Sequence, residues 1–150
     1  MRRALLILAA VGLFFFAAPA FAQDEYLGTF SVGLGGAFGE EDVGPWVLSG
    51  KYWDAEWELG AEVFWSGDDM DEYDQIGFAW LVYRYDVWLE EDSATYVGIG
   101  GGGIFEETMF ANNWGPVAVI GWDAQEWGLE FKYGYFDPSV FSICAYWNFL

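Results

Sequence analysis

Alternation with a period of two governs most of this chain. From Trp57, the residues Trp57, Leu59, Ala61, Val63 and Trp65 fall on one parity, and Glu58, Gly60, Glu62 and Phe64 on the other. Successive side chains of a strand point to opposite faces, so the pattern predicts a β-strand and excludes a helix. It recurs in Trp127, Leu129, Phe131, Tyr133 and Tyr135 against Gly128, Glu130, Lys132 and Gly134, and in Phe141, Ile143, Ala145, Trp147 and Phe149 against Ser142, Cys144, Tyr146 and Asn148. One face is wholly apolar each time, while the other mixes glycine, charge and small polar groups. Segments of about 10 residues with that contrast are the signature of strands that cross a membrane with one face on lipid and the other on a barrel lumen.

Five further segments fit with less contrast: Tyr26 to Phe38, Trp46 to Trp53, Gln75 to Tyr85, Thr95 to Phe105 and Pro116 to Trp122. In the first, Phe30, Val32, Leu34 and Phe38 are expected on lipid and Ser31, Gly33, Gly35 and Ala37 inside. In the Thr95 and Pro116 segments the apolar residues are too continuous to assign a face. The total of eight is about the smallest number whose closed interior side chains can fill. The fold class is therefore all-β, an eight-stranded antiparallel transmembrane up-and-down β-barrel. Short links at Asp54-Ala55-Glu56 and at Asp123 to Glu126 alternate with longer ones at Gly39 to Gly44, Ser66 to Asp74 and Glu106 to Gly115. With the N-terminus periplasmic, the longer loops fall outside the cell. Asp86 to Ala94 is long for a periplasmic turn, and the last outer loop around Asp137-Pro138 is short.

The first residues set the expected compartment. Arg2 and Arg3, an apolar run from Ala4 to Ala18, Pro19 and the Ala20-Phe21-Ala22 end make a secretory signal peptide over residues 1–22, cleaved before Gln23. A retained membrane helix is the competing reading, since Ala4 to Ala22 approaches the ~20 residues that span a bilayer. The polar Gln23-Asp24-Glu25 that follows favours cleavage, leaving a single β-barrel domain over 23–150 in the outer membrane. Loss of Arg2 and Arg3 takes the net charge from -19 to -21, against 24 acidic residues. Such a chain repels nucleic acid. At 55% hydrophobic and 22% aromatic it is no disordered polymer. Acidic loops in water and an apolar face on outer-membrane lipid reconcile the two traits, in a chain expected to be monomeric.

Six tryptophans, Trp46, Trp53, Trp57, Trp65, Trp122 and Trp127, stand at expected strand ends, where an indole meets both acyl chain and headgroup, and so form two aromatic girdles. Core tryptophans of a soluble β-protein are the alternative. A weak repeat, Trp53-Asp54-Ala55-Glu56-Trp57 and Trp122-Asp123-Ala124-Gln125-Glu126-Trp127, falls on two of the short turns. Lumen parity places Lys51, Glu58, Glu62, Glu130 and Lys132 in a charge network. An Asp54-Ala55 hairpin turn sets Lys51 directly opposite Glu58, and a four-residue loop sets it diagonally. Arg84 shares parity with Ile76, Phe78, Trp80 and Val82, and is expected to snorkel at the lipid interface.

Candidate chemistry is sparse. The chain has no histidine, which removes imidazole bases and His-ligated metals, and its one cysteine, Cys144, forms no internal disulfide. Glu58, Glu62 and Glu130 admit a glycosidase-like carboxylate set, although a structural network with the two lysines accounts for them with less unpaired charge. Gly100 to Gly103 lacks the Lys-Ser/Thr and the helix of a phosphate loop, and reads as close backbone packing. The acidic outer loop carries Asp68, Asp69, Asp71, Glu72 and Asp74 without EF-hand spacing. It is a solvated loop that leaves weak Ca²⁺ or Mg²⁺ binding open. No other cofactor is expected.

Signal peptide, dyad strands, girdles and the aromatic final strand together resemble the small eight-stranded outer-membrane barrels, which include adhesin-like, membrane-stabilising and lipid A-modifying members. Those proteins end on an aromatic residue, whereas here Leu150 follows Phe149. A narrower resemblance is to the lipid A 3-O-deacylases, over Phe131 to Ser139. Their catalytic His and Ser positions fall on Tyr135 and Asp137, so the resemblance implies a lost activity. A hydroxyl nucleophile needs a neighbouring base, and no imidazole exists to serve as one. The expected function is a non-enzymatic structural or surface-interaction barrel with an unidentified surface partner. The alternatives are a lipid A-modifying enzyme with a non-histidine site and a narrow conduit for small solutes.

Overall fold

The computed structural model describes residues 28–39, 45–54, 56–65, 77–106, 109–136 and 139–149. Eight strands, β1 (Thr29–Gly39), β2 (Trp46–Asp54), β3 (Trp57–Trp65), β4 (Gly77–Leu89), β5 (Ser93–Glu106), β6 (Met109–Ala124), β7 (Trp127–Gly134) and β8 (Val140–Phe149), each pair antiparallel with the next. β1 closes on β8, from Phe30↔Phe149 to Gly39↔Val140. Closure pairs each strand with a neighbour on both sides along most of the wall.

The register coils around the barrel. From Trp57 the ladder steps through Tyr83, Ile99, Ala118, Tyr133 and Phe141. From Phe149, eight residues farther along β8, it continues through Phe30 and Tyr52 to Leu59, two residues past its start. This stagger of ten residues tilts the strands and sets the narrow bore of an eight-stranded barrel.

Three sequence expectations need correction. The link expected over Asp86 to Ala94 is mostly strand: β4 runs to Leu89, and Glu90 N–H donates to the Ser93 carbonyl across a tight turn at 2.8 Å. The outer loop expected over Glu106 to Gly115 is also mostly strand, with Glu106 opposite Met109. Its Asn112, Asn113, Gly115 and Pro116 resemble a loop, but a register shift between Gly103 and Phe105 absorbs the irregularity, and Pro116 stands just above Val117, where pairing with β7 begins. In the β2–β3 hairpin, Lys51 pairs with Gly60 and not with Glu58. Asp54 pairs with Trp57, whose backbone N–H donates to the Asp54 carboxylate at 3.3 Å, so the expected register is off by two residues and the side-chain parity survives.

The faces follow the alternation of β3, β7 and β8, with inward Glu58, Glu62, Glu130, Lys132, Ser142 and Cys144 all buried. The two segments left without a face are now resolved. Tyr96 and Ile104 on β5, and Val117, Val119 and Asp123 on β6, point inward, while Val97, Ile99 and Ile120 are exposed. Glycine sets the bore. Trp80, Tyr96 and Tyr146 each stand opposite an inward glycine, respectively Gly60, Gly121 and Gly33, and a Cβ on any of these would press on the ring. On Gly100 a Cβ would meet the Leu81 carbonyl and the Val82 Cα, so the glycine run is a site of close strand approach.

Candidate functional site

Inside the barrel the side chains divide by height. Near the longer links lies an apolar zone of Val47, Phe64, Phe78, Ile104, Val117 and Val140, with Phe136 packed against it. Phe78 meets Phe136 edge-on, their ring centroids 5.2 Å apart. Toward the short turns the lumen becomes charged. The change follows from register, because the inward sets of β2, β3, β4 and β6 pass from Val47, Phe64, Phe78 and Val117 at one end to Lys51, Glu58, Arg84 and Asp123 at the other.

The charged zone is one connected chain of ion pairs. Arg84 reaches Asp123 at 2.6 Å and Asp86 at 3.3 Å. Lys51 lies 3.9 Å from Asp123, 3.3 Å from Glu58 and 2.8 Å from Glu130. Lys132 bridges Glu130 at 2.8 Å and Glu62 at 2.9 Å. Neutral groups complete the shell: the Trp80 indole donates to Glu58 at 2.9 Å, the Tyr96 hydroxyl donates to Glu130 at 2.5 Å, and Ser142 donates to Glu62 at 3.1 Å. The cations also rest on rings, Lys132 3.4 Å from the Trp80 centroid and Arg84 3.6 Å from that of Tyr96.

All five residues expected in the lumen are thus brought together, with Lys51 diagonal to Glu58. Arg84 does not snorkel. It is 3% exposed and points inward with Phe78, Trp80 and Val82, whose apolar character fills the lumen and not a lipid face. Asp123, Tyr96 and Tyr146 also belong to the network, beyond the five residues that lumen parity picks out. The repeat that carries Asp123 held a clue, since its second turn is one residue longer than its first and so turns Asp123 inward where Asp54 is exposed. Glu58, Glu62 and Glu130 are each 1% exposed or less. Each carboxylate is held by a lysine, so none of the three stands free as a general base.

The same parity reassigns one tryptophan. Trp46, Trp57 and Trp127 point outward and are exposed, and Trp122 stacks edge-on against Trp127 with centroids 4.8 Å apart. Trp53 instead shares the lumen parity of Lys51, with the Arg84 guanidinium 4.1 Å over its ring, so it is not an outward girdle residue. Trp65 pairs with Trp46 along the backbone. Trp88, Trp114 and Trp147, none of them in the expected set, are exposed as well.

No protein-family model matches the chain, and no curated protein matches it. A solved structure described as de novo design of transmembrane β-barrels is similar at TM-score 0.50 and 13% identity, over 84% of this chain and 98% of that one. The attachment invasion locus protein Ail of Yersinia pestis aligns at TM-score 0.45 and 12% identity, over 81% of this chain and 97% of its own. Its complex with the heparin analogue sucrose octasulfate aligns at TM-score 0.46 and 12% identity, over 81% and 99%. The fold is that of a transmembrane β-barrel. Leu34, Leu59, Leu81, Ile99, Ile120 and Phe131 are exposed on the outer face of the barrel.

Tyr135, at the position that the deacylase resemblance gives to histidine, is exposed beyond the end of β7. Asp137, the acidic loop Asp68 to Asp74 and residues 1–22 lie outside the described residues.

Proposed function

We propose that this chain is an outer-membrane β-barrel with a structural or surface-interaction role, non-enzymatic, whose contacts are made at its rims. The observation that carries this reading is the filled lumen. Phe64, Phe78, Ile104 and Val117 occupy one end, and the ion-pair chain from Arg84 to Glu62 occupies the other. A conduit needs a wet path, and an apolar zone of this kind opposes ion entry by dewetting. A carboxylate enzyme needs acids that a substrate can reach, and these are buried and paired. What remains for recognition is the lipid face and the loops. The outer connections carry Glu40, Glu41 and Asp42 and the Asp68 to Asp74 run, without a lysine or arginine among them.

Crosslinking from cysteines placed in these loops on intact cells tests the reading. Adducts that change with loop sequence while lipid A acyl composition stays constant are expected. Stepwise single-channel currents, or a change in lipid A acylation on deleting the chain, would overturn it.

A further inference from the structure

Beside the β2–β3 turn, closure of the wall fails among the described residues. Tyr83 stands level with Trp57 at the start of β3, yet β4 continues to Leu89. On its other side β5 accompanies it to the end, with Leu89 opposite Ala94. The β4–β5 hairpin therefore projects past the β2–β3 turn, and its β3-facing edge is unpaired among the described residues. The last bond on that edge runs from Arg84 N–H to the Glu56 carbonyl at 2.6 Å. Two residues on, Asp86 turns its backbone N–H and C=O the same way, as alternate residues of a strand do. Beside this edge Tyr85, Val87, Trp88 and Leu89 are all exposed, at 50% or more.

Charge surrounds it with one sign. Glu90, Glu91 and Asp92 form the tip, and Asp54 and Glu56 border it on the neighbouring turn, all exposed. Every basic residue after Arg3, namely Lys51, Arg84 and Lys132, is buried inside the barrel. The protein's own described surface thus offers these acids no cation.

We infer that the free β4 edge, residues 85–89, is a docking site for an extended basic segment of another protein. That segment adds a strand beside β4, its lysines or arginines meeting the acidic tip and its alternate apolar side chains meeting Tyr85 and Val87. A second copy of this chain is disfavoured, because two such tips repel. The register shift between Asp86 and Trp88 keeps the edge short, which limits the partner to a few residues. The inference rests on the membrane reading only for the side from which the partner comes, the periplasm.

The test uses the full mature barrel refolded into zwitterionic lipid vesicles and a short synthetic peptide of alternating lysine and valine, followed by tryptophan fluorescence. Saturable binding is expected, weakened in high salt and absent for the glutamate-valine counterpart. Asp86→Pro, which removes the edge N–H, should weaken it by roughly tenfold. The variant carrying Glu90→Lys, Glu91→Lys and Asp92→Lys should reverse the preference toward the acidic peptide. Equal binding of the two peptides, binding to protein-free vesicles, insensitivity to both variants, or pairing of the chain with itself through Trp88→Cys crosslinks would each overturn the inference. Loss of β-sheet circular dichroism in vesicles would instead strike the membrane reading, and is read separately.

Discussion

The two ends of the lumen fill the same bore with opposite chemistry. At the loop end, Val47, Phe64, Phe78, Ile104 and Val117 pack without a hydrogen bond to place them. At the short-turn end, Lys51, Arg84 and Lys132 are each held by at least two carboxylates. Apolar packing depends on volume and tolerates exchange among similar shapes. An ion-pair chain depends on identity, because removing one member strands its partners in a low dielectric. The apolar end closes the barrel, and the charged end selects one register, since a slip of one residue would send Lys51 and Glu58 to lipid.

The difference can be broken most severely at Lys51. Lys51→Met leaves Glu58 with only the Trp80 indole and Glu130 with only Lys132 as cation, and a loss of about 3–5 kcal/mol is expected from urea unfolding in lipid vesicles. Adding Glu58→Leu should recover part of it. Strict additivity would mean that the two side chains do not interact.

Next in size is Phe78→Ala, which opens a cavity against Trp80 and Phe136, both with ring centroids 5.2 Å away. About 3 kcal/mol is expected by the same measurement. A conductance trace of this variant sharpens the comparison, since water admitted above the charged zone should leave that zone still closed.

Gly60→Ala should cost about 1–3 kcal/mol by overpacking, because the new methyl meets the Trp80 ring directly opposite. The smallest effect is expected for Phe64→Leu in the apolar zone, below about 1.5 kcal/mol. A penalty there as large as that of Lys51→Met would erase the distinction between the two ends.

How much of this was legible follows the same division. Where inward residues are charged or glycine and outward ones apolar, as in β3, β7 and β8, period-two reading assigns strand and face together. Where the inward set is itself apolar, as with Phe78, Trp80 and Val82 on β4, both faces look alike. Its apolar neighbours then point Arg84 toward lipid. Glycine hid the faces of β5 for a related reason, because Gly98, Gly100 and Gly102 are inward spacers that carry no polarity to read. The charged residues Lys51, Glu58, Glu62, Glu130 and Lys132 were visible because burying them on a lipid face is so costly. Their pairing was not, because it depends on a hairpin register in which Asp54 pairs with Trp57.

Site-directed nitroxide labelling in lipid vesicles, in a Cys144→Ala background, tests the central claim most directly. Labels at Leu59, Ala61 and Phe131 should be relaxed by lipid-soluble oxygen and shielded from a water-soluble nickel chelate, while labels at Ser49 and Ser142 should be shielded from both. Outward labels reached by the chelate would contradict a membrane-spanning wall, and inward labels reached by it would contradict a filled lumen.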